Sequence, residues 1–319
     1  MSTMVDPGPE APEAPPVEAK PPTRLGDLLF SKVSLVSGLI VILFLAGVGT
    51  FLLIQGLPAL DASGEATYGE PDIWKFVGML LYGTIYASLI AIVIVTPLAV
   101  GLALVISHYA PKALAKPVGY LVDLLAAVPS VVFGLWGLEV LAPKLLPAYK
   151  WLNEHFSWIP LFDGSVNSRS LLTASIVLAL MALPIVTALL REIFAQTPRA
   201  HEEAALALGA TRWEMIRLAV FPYARSGMVA AILLGLGRAL GETMAVAMVL
   251  SATGTGYLTL SIISAENPNT IAAFIANNYA NASGDKINTM IFAGLALFLL
   301  TFVVNFAGRW IATRGQNKG

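Results

Sequence analysis

The 319-residue sequence contains no cysteine, only three histidines and few charged residues. Without cysteine the chain has no disulfide, thiolate metal site or cysteine nucleophile. His108, His155 and His201 lie far apart in sequence, which argues against a His-rich metal site. Charged residues make up 12% of the chain, whereas a soluble domain has about a quarter. This deficit indicates an integral membrane protein, and a net charge of −1 gives no reason to expect a nucleic-acid partner.

Sequence motifs for nucleotide chemistry are also absent. No G-x-x-x-x-G-K-[ST] phosphate loop occurs, so the chain has no P-loop ATPase of its own. Gly235, Gly237 and Gly241 superficially resemble G-x-G-x-x-G, but the spacing has one residue too many and no strand precedes it. Paired intramembrane aspartates, which a membrane enzyme would use, are missing. We therefore expect no catalytic residue, metal or cofactor in this chain.

Six apolar stretches reach the roughly 20 residues that a membrane-spanning helix needs. They cover residues 33–55, 76–107, 118–142, 171–195, 226–251 and 289–312. The second is longer than one crossing requires, so we expect it to tilt, extend into water or bend at Pro97. The sequence thus predicts an all-α integral membrane protein with six transmembrane helices.

Lys and Arg are distributed unequally between the two sets of loops. Most of the 19 Lys and Arg residues lie in one set, and the other holds only Lys75, Lys144, Lys150, Arg169 and Lys286. Because the cytoplasmic side carries the excess of positive residues, both termini are predicted to be cytoplasmic. The outer loops are then 56–75, 143–170 and 252–288, and the chain is expected to be a multi-pass membrane protein.

The N-terminal segment differs in composition from the rest of the chain. Residues 1–23 are rich in Pro, Glu and Ala, which predicts a disordered tail. The expected organisation continues with a first transmembrane helix and outer loop at 24–75, a transmembrane core at 76–312 and a short C-terminal cytoplasmic tail at 313–319.

The stretch QTPRAHEEAALALGATRWEMIRLAVFPYAR, between the fourth and fifth spans, contains signals for two short helices. Thr197 is expected to cap the first helix, whose opening proline is favoured at that position. Gly209 supplies a left-handed stop. Thr211 and Glu214 then form a capping box for the second helix, and Pro222 marks its end.

This stretch resembles the EAA loop of ABC importer permeases. The resemblance rests on Glu203, Ala204, Ala205, Gly209 six residues after the glutamate, and Pro222. In that family the loop forms a coupling helix that docks in a cleft of the ATPase subunit. The resemblance implies type I ABC importer architecture, with ATP and Mg bound by separate ATPase subunits. A generic amphipathic hairpin at the membrane surface is the alternative.

The apolar stretch LLGLGRALGETMAVAMVL contains Arg238 and Glu242, although charges within a span are costly. Residues four apart share a helix face, so the two side chains can pair with each other, although either could pair with a partner permease instead. Gly237 and Gly241 would form a ridge beside them for close helix contact. Two interpretations remain open: an ion pair that fixes helix register, or a site that lines an anion path, since guanidinium fits an oxyanion.

The segment GLGRALGETMAVAMVL resembles the fifth-span signature of phosphate-specific ABC permeases, and its Gly-Glu-Thr-Met form indicates the PstC-type subunit. VPSVVFGLWGL is similar to the third span of that subunit. The resemblance implies an ATP-driven phosphate importer with a homologous PstA-type permease, an ATPase dimer and an extracytoplasmic phosphate-binding protein. It implicates Arg238, Glu242 and Thr243 in phosphate passage. Ser130 joins them as a candidate that either bonds a carbonyl freed by Pro129 or faces the path.

Two alternatives to a phosphate permease remain. One is a permease of the same family for sulfate, molybdate or another anion. The other is a self-contained secondary transporter or channel, but the sequence has no evident inverted repeat and that hypothesis leaves the EAA-like loop unexplained.

Overall fold

The computed structural model describes residues 25–252 and 254–316, so the predicted tail at 1–23 lies outside the described residues. The described chain is almost entirely helical. Its helices are α1 Leu25–Gly56, α2 Ile73–Leu104, α3 Lys112–Ala126, α4 Ser130–Trp136, α5 Ala142–Phe156, α6 Leu171–Ala195, α7 Arg199–Ala207, α8 Arg212–Met215, α9 Phe221–Gly241, α10 Met244–Val249, α11 Ile271–Asn278 and α12 Asp285–Gln316. Because α12 runs to Gln316, the first part of the expected C-terminal tail is helical.

The chain divides into two compact units, one that ends at Val48 and one that begins at Gly49. In the first unit, the described residues belong to α1, which carries no charged residue between Val33 and Val48. The second unit contains the last two turns of α1 and the remaining helices, and all of the candidate site residues lie in it.

Six described segments are long and apolar enough to cross a membrane, as the hydropathy pattern predicts. They are Leu29–Asp61, Ile73–Tyr109, Ser130–Phe156, Leu171–Ala195, Arg212–Gly241 and Asp285–Ile311. The fourth span has the bounds predicted from the sequence. The second passes through Pro97 without ending there.

The third span differs from its prediction at 118–142, because the chain leaves the helix between α3 and α4. Pro129 has no backbone N–H and disfavours a helical conformation at Val128, so an apolar run that looks continuous is broken. The long helical segment starts only at Ser130 and continues to Phe156. The part of the predicted outer loop from residue 143 to 156 is therefore helical.

Within the described residues three π-helical segments occur, one at the end of α2 and two that lead directly into α5 and α9, and each is followed by a proline two residues after its end. The segments are Val105–Tyr109, Gly137–Leu141 and Ile216–Val220, and the prolines are 111, 143 and 222. A proline ring in a regular helix clashes with the carbonyl four residues earlier. The wider π turn accommodates the ring, so the prediction that Pro222 ends the second short helix is wrong, and the chain continues through it into α9.

Helix α6 forms the centre of the second unit and packs against α2, α3 and α9. Small residues on α2, including Ala87, Ala91 and Ala99, are buried in this contact. Ser175 Oγ donates a hydrogen bond to the Ala87 carbonyl at 3.1 Å. Close backbone approach therefore replaces bulky side-chain packing between α2 and α6, as is common between membrane helices.

At one end of the helices, residues 157–170, 251–252 and 254–270 fold together into what we call the loop cap. Two isolated antiparallel bridges join its segments, Val166 to Ser264 and Gly256 to Pro268. The loop before α2 also reaches the cap, since Thr255 Oγ1 donates to Glu70 Oε1 at 2.9 Å. Parts of three loops that the Lys and Arg distribution placed on one side of the membrane thus meet each other.

Candidate functional site

The described structure separates Arg238 and Glu242 by a break in the fifth span. Helix α9 ends at Gly241, and Glu242 has an extended backbone with φ −70° and ψ 123°. Helix α10 then begins at Met244. The prediction that the two charges pair on one helix face is therefore wrong, and no ion pair joins them among the described residues. Hydropathy alone could not reveal the break, because the residues on both sides of it are apolar.

The Glu242 carboxylate occupies the start of α10. Its Oε1 accepts a hydrogen bond from the backbone N–H of Ala245 at 3.3 Å, and the side chain is half-buried. A carboxylate at a helix N-terminus is stabilised by the free N–H groups and the helix dipole. Thr243 Oγ1 donates to the Gly241 carbonyl at 3.3 Å. Glu242 and Thr243 thus bond to the backbone at the break.

Arg238 lies on an exposed stripe of α9, together with Leu234 and Gly241. Within residues 25–252 and 254–316 its guanidinium has no hydrogen-bond or ion-pair partner. A cation in a membrane span usually faces a cavity, a water-filled path or a partner chain, because lipid does not compensate its charge. The exposed stripe is therefore the part of the fifth span that most needs a ligand or a second protein.

Glycines position α9 against its neighbours, but they are not the ones predicted. A Cβ on Gly235 would lie 2.6 Å from Val186 Cγ2 of α6, so only glycine permits this approach. By contrast, a Cβ on Gly237 would meet only Asn305 Oδ1 at 3.9 Å, and one on Gly241 would meet nothing within 4 Å. The prediction of a Gly237–Gly241 contact ridge is wrong for contacts within the described chain.

Arg169 was missed by the sequence analysis, which counted it only as a loop cation. Its Nη2 donates to the carbonyls of Met248 at 3.1 Å and Leu250 at 3.4 Å, at the C-terminal end of α10. A cation at this end complements the helix dipole and satisfies carbonyls that the helix leaves free. Helix α10 is therefore held at one end by Glu242 and at the other by Arg169.

Ser130 is the first residue of α4, which packs directly on α10. A Cβ on Gly134 would lie 2.9 Å from Ala245 Cα, and one on Gly137 would lie 3.1 Å from Val249 Cγ2. The two helices therefore run in the same direction, and the Ser130 end of α4 is on the same side as the Glu242 end of α10. Ser130 is half-buried and does not cap α4. The structure thus brings the two interrupted spans together at their breaks.

The α7–α8 hairpin, residues 199–215, follows most of its sequence signals. Gly209 has a φ of +88° at the turn. Thr211 and Glu214 form the predicted capping box, in which the Thr211 N–H donates to Glu214 Oε2 at 2.7 Å. Thr197 does not cap α7, because the helix starts at Arg199 after Pro198 and the buried Thr197 hydroxyl has no partner.

The hairpin exposes apolar side chains although it lies outside the packed core. Leu208 is 90% exposed, and Leu206 and Trp213 are also exposed. Glu203 and Ala204 lie on the exposed surface of α7, and Ala205 is half-buried. One side-chain contact that the sequence did not predict ties α7 to the end of α2, where His108 Nε2 lies 3.6 Å from Glu202 Oε1.

Comparison with known proteins adds to this geometry. Residues 96–315 match the family described as "Binding-protein-dependent transport system inner membrane component". The Mycobacterium tuberculosis phosphate transport system permease protein PstC 2 is 44% identical over 305 residues, which cover 91% of this chain and 93% of that protein. The PstC protein of Mesorhizobium japonicum is 36% identical, with 91% of each chain covered.

A solved structure supports the fold. An inward-facing MetNI methionine ABC transporter aligns with a TM-score of 0.51 and 19% identity, over 75% of this chain and 94% of that chain. At this identity the likeness concerns the arrangement of the helices, and it agrees with a type I importer architecture.

Proposed function

The chain belongs to the family of binding-protein-dependent transport system inner membrane components, and on this basis we propose that it is the permease subunit of an ATP-driven phosphate importer. The observation that carries the proposal is the unpartnered Arg238 on an exposed stripe of a membrane span. The names of the relatives, which are phosphate transport system permease proteins, support phosphate over other anions.

In this proposal Arg238 attracts the anion and Glu242 limits how tightly it binds. A path conducts well when its site is favourable but weak, so that the ligand can leave. The position of Glu242 one residue past the end of α9 supports this division of roles, because its carboxylate is held by the backbone rather than by the guanidinium. The charge of Arg238 therefore remains free for a passing oxyanion.

Glu242 also supplies a chemical criterion for selection. Inorganic phosphate near neutral pH retains at least one proton, because its last proton is lost only in strongly alkaline solution. A protonated oxyanion donates a hydrogen bond to a carboxylate, whereas fully ionised sulfate has no proton to donate. The Glu242 carboxylate thus favours phosphate over sulfate as the anion passes the break. Thr243 lies beside it, and Ser130 begins α4 on the same side.

The exposed stripe Leu234, Arg238 and Gly241 suits a second, homologous permease. Two such chains would enclose the path between their interrupted spans and cover the stripe. The excess of Lys and Arg in the loops next to α7 supports a cytoplasmic position for both termini. The loop cap then faces outward, where an extracytoplasmic phosphate-binding protein would deliver its ligand.

The α7–α8 hairpin is proposed to dock on an ATPase subunit, with ATP and Mg bound by that subunit. Ala204, Ala205 and Gly209 supply a small-residue surface, Glu203 supplies a carboxylate that can accept hydrogen bonds from the partner, and Leu208 supplies an apolar contact. Motion of the hairpin can reach two spans. It reaches the fifth span through the continuous helical path from α8 across Pro222 into α9, and the second span through the contact between Glu202 and His108, which follows α2.

The test is phosphate uptake into vesicles that contain the assembled transporter. Arg238→Gln should lower uptake by about 10- to 100-fold, the range expected for one hydrogen bond to a charged group. Arg238→Lys keeps the positive charge but lacks the planar guanidinium, so uptake should fall less than in Arg238→Gln. Co-purification of the subunits checks assembly. Normal transport by Arg238→Gln would refute the role in the path, and loss of assembly would assign Arg238 to the structure.

Glu242 allows a finer test, because Gln retains an oxygen that can accept from the Ala245 N–H. Glu242→Gln should keep the cap of α10 and reduce the preference for phosphate over sulfate, measured with the delivery protein bypassed. Glu242→Ala removes both the cap and the charge and serves as the comparison. Full discrimination by Glu242→Gln would refute selection by the carboxylate and leave the role of Arg238 intact.

A further inference from the structure

Two cavities lie along the seam where α3 packs against α6 and the π-helical segment Val105–Tyr109, and the seam extends to the start of α4. The larger has a volume of about 400 Å³ and is lined only by apolar side chains. The smaller has a volume of about 310 Å³, and its lining includes Lys116, Tyr120, Asp123 and Arg191. Neither cavity includes Arg238, Glu242 or the hairpin surface, so the proposed function does not account for them.

The order of residues along three helices places the cavities next to each other. Leu102 of α2 lines the apolar cavity, and Ile106, one turn later in the π-helical segment that follows α2, lines the charged one. On α6, Pro184 lines the first and Arg191, two turns later, lines the second. Helix α3 runs in the opposite direction to α2 and α6. Along it, Lys116 of the charged cavity comes before Leu125 of the apolar cavity. The charged cavity therefore lies at the α7 end of the apolar one.

The charged cavity carries a net positive charge. Arg191 Nη2 lies 3.5 Å from Asp123 Oδ1, so this pair is formally neutral. Lys116 is exposed and has no ion-pair partner among the described residues. Gly119 leaves room for the Arg191 side chain, because a Cβ there would lie 2.4 Å from Arg191 Nη1. Lys116 and Arg191 thus line the same cavity, and the Asp123 carboxylate neutralises only one of the two positive charges.

We propose that this seam binds one anionic phospholipid. One of its two acyl chains lies in the apolar cavity, against Leu102, Leu125, Val132, Trp136 and Leu183, and its headgroup phosphate lies between Lys116 and Arg191. Basic pockets between membrane helices suit anionic headgroups, and apolar walls within a span suit a hydrocarbon chain. The lipid belongs to the leaflet on the hairpin side, where the Lys and Arg excess is found.

The arrangement favours a lipid over free phosphate. An inorganic anion would use only the charged cavity and would gain nothing from the apolar walls beside it. An apolar helix of a partner protein would fill the walls but would leave the surplus positive charge uncompensated. A molecule with an anionic group at one end and a hydrocarbon chain at the other matches both cavities at once.

Native mass spectrometry of the purified full chain tests the proposal directly. The protein is titrated with phosphatidylglycerol and with phosphatidylcholine of the same acyl chains. One phosphatidylglycerol should be retained at concentrations at which phosphatidylcholine is not. Lys116→Gln should weaken phosphatidylglycerol binding about fivefold, since one basic residue near an anionic surface contributes on the order of 1 kcal/mol. Asp123→Asn should strengthen it by a similar factor.

Three variants or additions separate the sources of binding. Leu183→Trp fills the apolar cavity and should weaken the binding of both lipids. Thermal unfolding confirms that the variant is folded. Lys144→Gln, an exposed lysine on α5 outside the seam, should change nothing. Excess inorganic phosphate should not displace the lipid.

Several outcomes would overturn the proposal. Equal retention of the two lipids, or unchanged binding in Lys116→Gln, would show that the cations do not recognise a headgroup. Displacement by inorganic phosphate would assign the charged cavity to a free anion. Loss of the bound lipid when the second permease assembles would assign the seam to a protein interface. None of these results depends on phosphate transport, so the proposed function is tested separately.

Discussion

The loop cap and the α7–α8 hairpin lie at opposite ends of the spans and are stabilised in different ways. In the loop cap, the buried Asn267 accepts from the Leu171 N–H at 2.9 Å and donates to the Arg169 carbonyl at 3.0 Å. The side-chain amide of Asn267 is therefore satisfied within the chain. The hairpin is held by a local capping box between Thr211 and Glu214. Both ends expose large apolar side chains, such as Leu208 in the hairpin and Trp158 and Leu258 in the loop cap.

This difference indicates what each end still lacks. A region whose buried polar groups are paired internally can hold its shape alone. A region that exposes apolar side chains gains free energy when a partner covers them. The loop cap combines hydrogen bonds between distant residues with exposed apolar side chains on which the proposed delivery protein can act. The hairpin depends on bonds between residues three apart and on exposed apolar side chains that the proposed ATPase subunit would cover. The predictions below test this contrast.

The first prediction is that the two ends face opposite sides of the membrane. Because the chain has no cysteine, Ser283→Cys and Ala207→Cys can be labelled without background. An impermeant thiol reagent should label the cysteine at 283 in cells with a permeabilised outer barrier, and the one at 207 only after the inner membrane is opened. The difference should be all or none. Labelling in the reverse order would invert the orientation.

The second prediction concerns Asn267, which holds the loop cap together. Asn267→Leu should lower the free energy of unfolding by several kcal/mol, since each buried partner left unsatisfied costs about 1–3 kcal/mol. Thermal unfolding of the purified chain measures this. The matched control is the exposed Asn281, where Asn281→Leu should change stability by no more than about 0.5 kcal/mol. Equal effects would mean that the cap is not held by this side chain.

The third prediction concerns Gly209, at the turn of the hairpin. A Cβ there would meet nothing within 4 Å, so any effect of a side chain comes from the backbone at φ +88°. Gly209→Val should disturb the turn by about 1–2 kcal/mol and abolish co-purification of the ATPase, with the loop cap unaffected.

Gly209→Asn is the control for that variant, because asparagine tolerates a left-handed backbone better than a β-branched residue does. It should retain most of the ATPase association. Normal association and uptake in Gly209→Val would contradict the coupling role of the hairpin. Equal loss in both variants would point to side-chain bulk at the interface.

The hairpin was predictable from sequence because its signals are local. The capping box joins residues three apart, and the left-handed turn needs a glycine at one position. The same reasoning failed for Thr197 and Pro222. A threonine before a proline is typical of a helix cap. The cap forms only when the threonine backbone takes the right conformation, and at Thr197 it does not. The proline was expected to end a helix, but a π turn absorbed its ring.

The candidate site was predictable only in part. Hydropathy located a span around Arg238 and Glu242, and the resemblance to phosphate permeases implicated both residues. Their assumed pairing depended on a continuous helix, and the break at Glu242 is not encoded in the apolar pattern. Whether they line the path stays a prediction. The structure adds that the two charges lie on different elements, Arg238 on α9 and Glu242 in the break before α10.

Local chemistry was thus enough to set the number of spans, the turn at Gly209 and the capping box at Thr211, because each depends on residues within a few positions of each other. Packing decided the rest. Arg169 reaches the end of α10 across 79 positions in the chain, Asn267 reaches Leu171 across 96, and α4 meets α10 only because two interrupted spans lie side by side. Such contacts form between surfaces that come together on folding, and no short segment of the sequence specifies its distant partner.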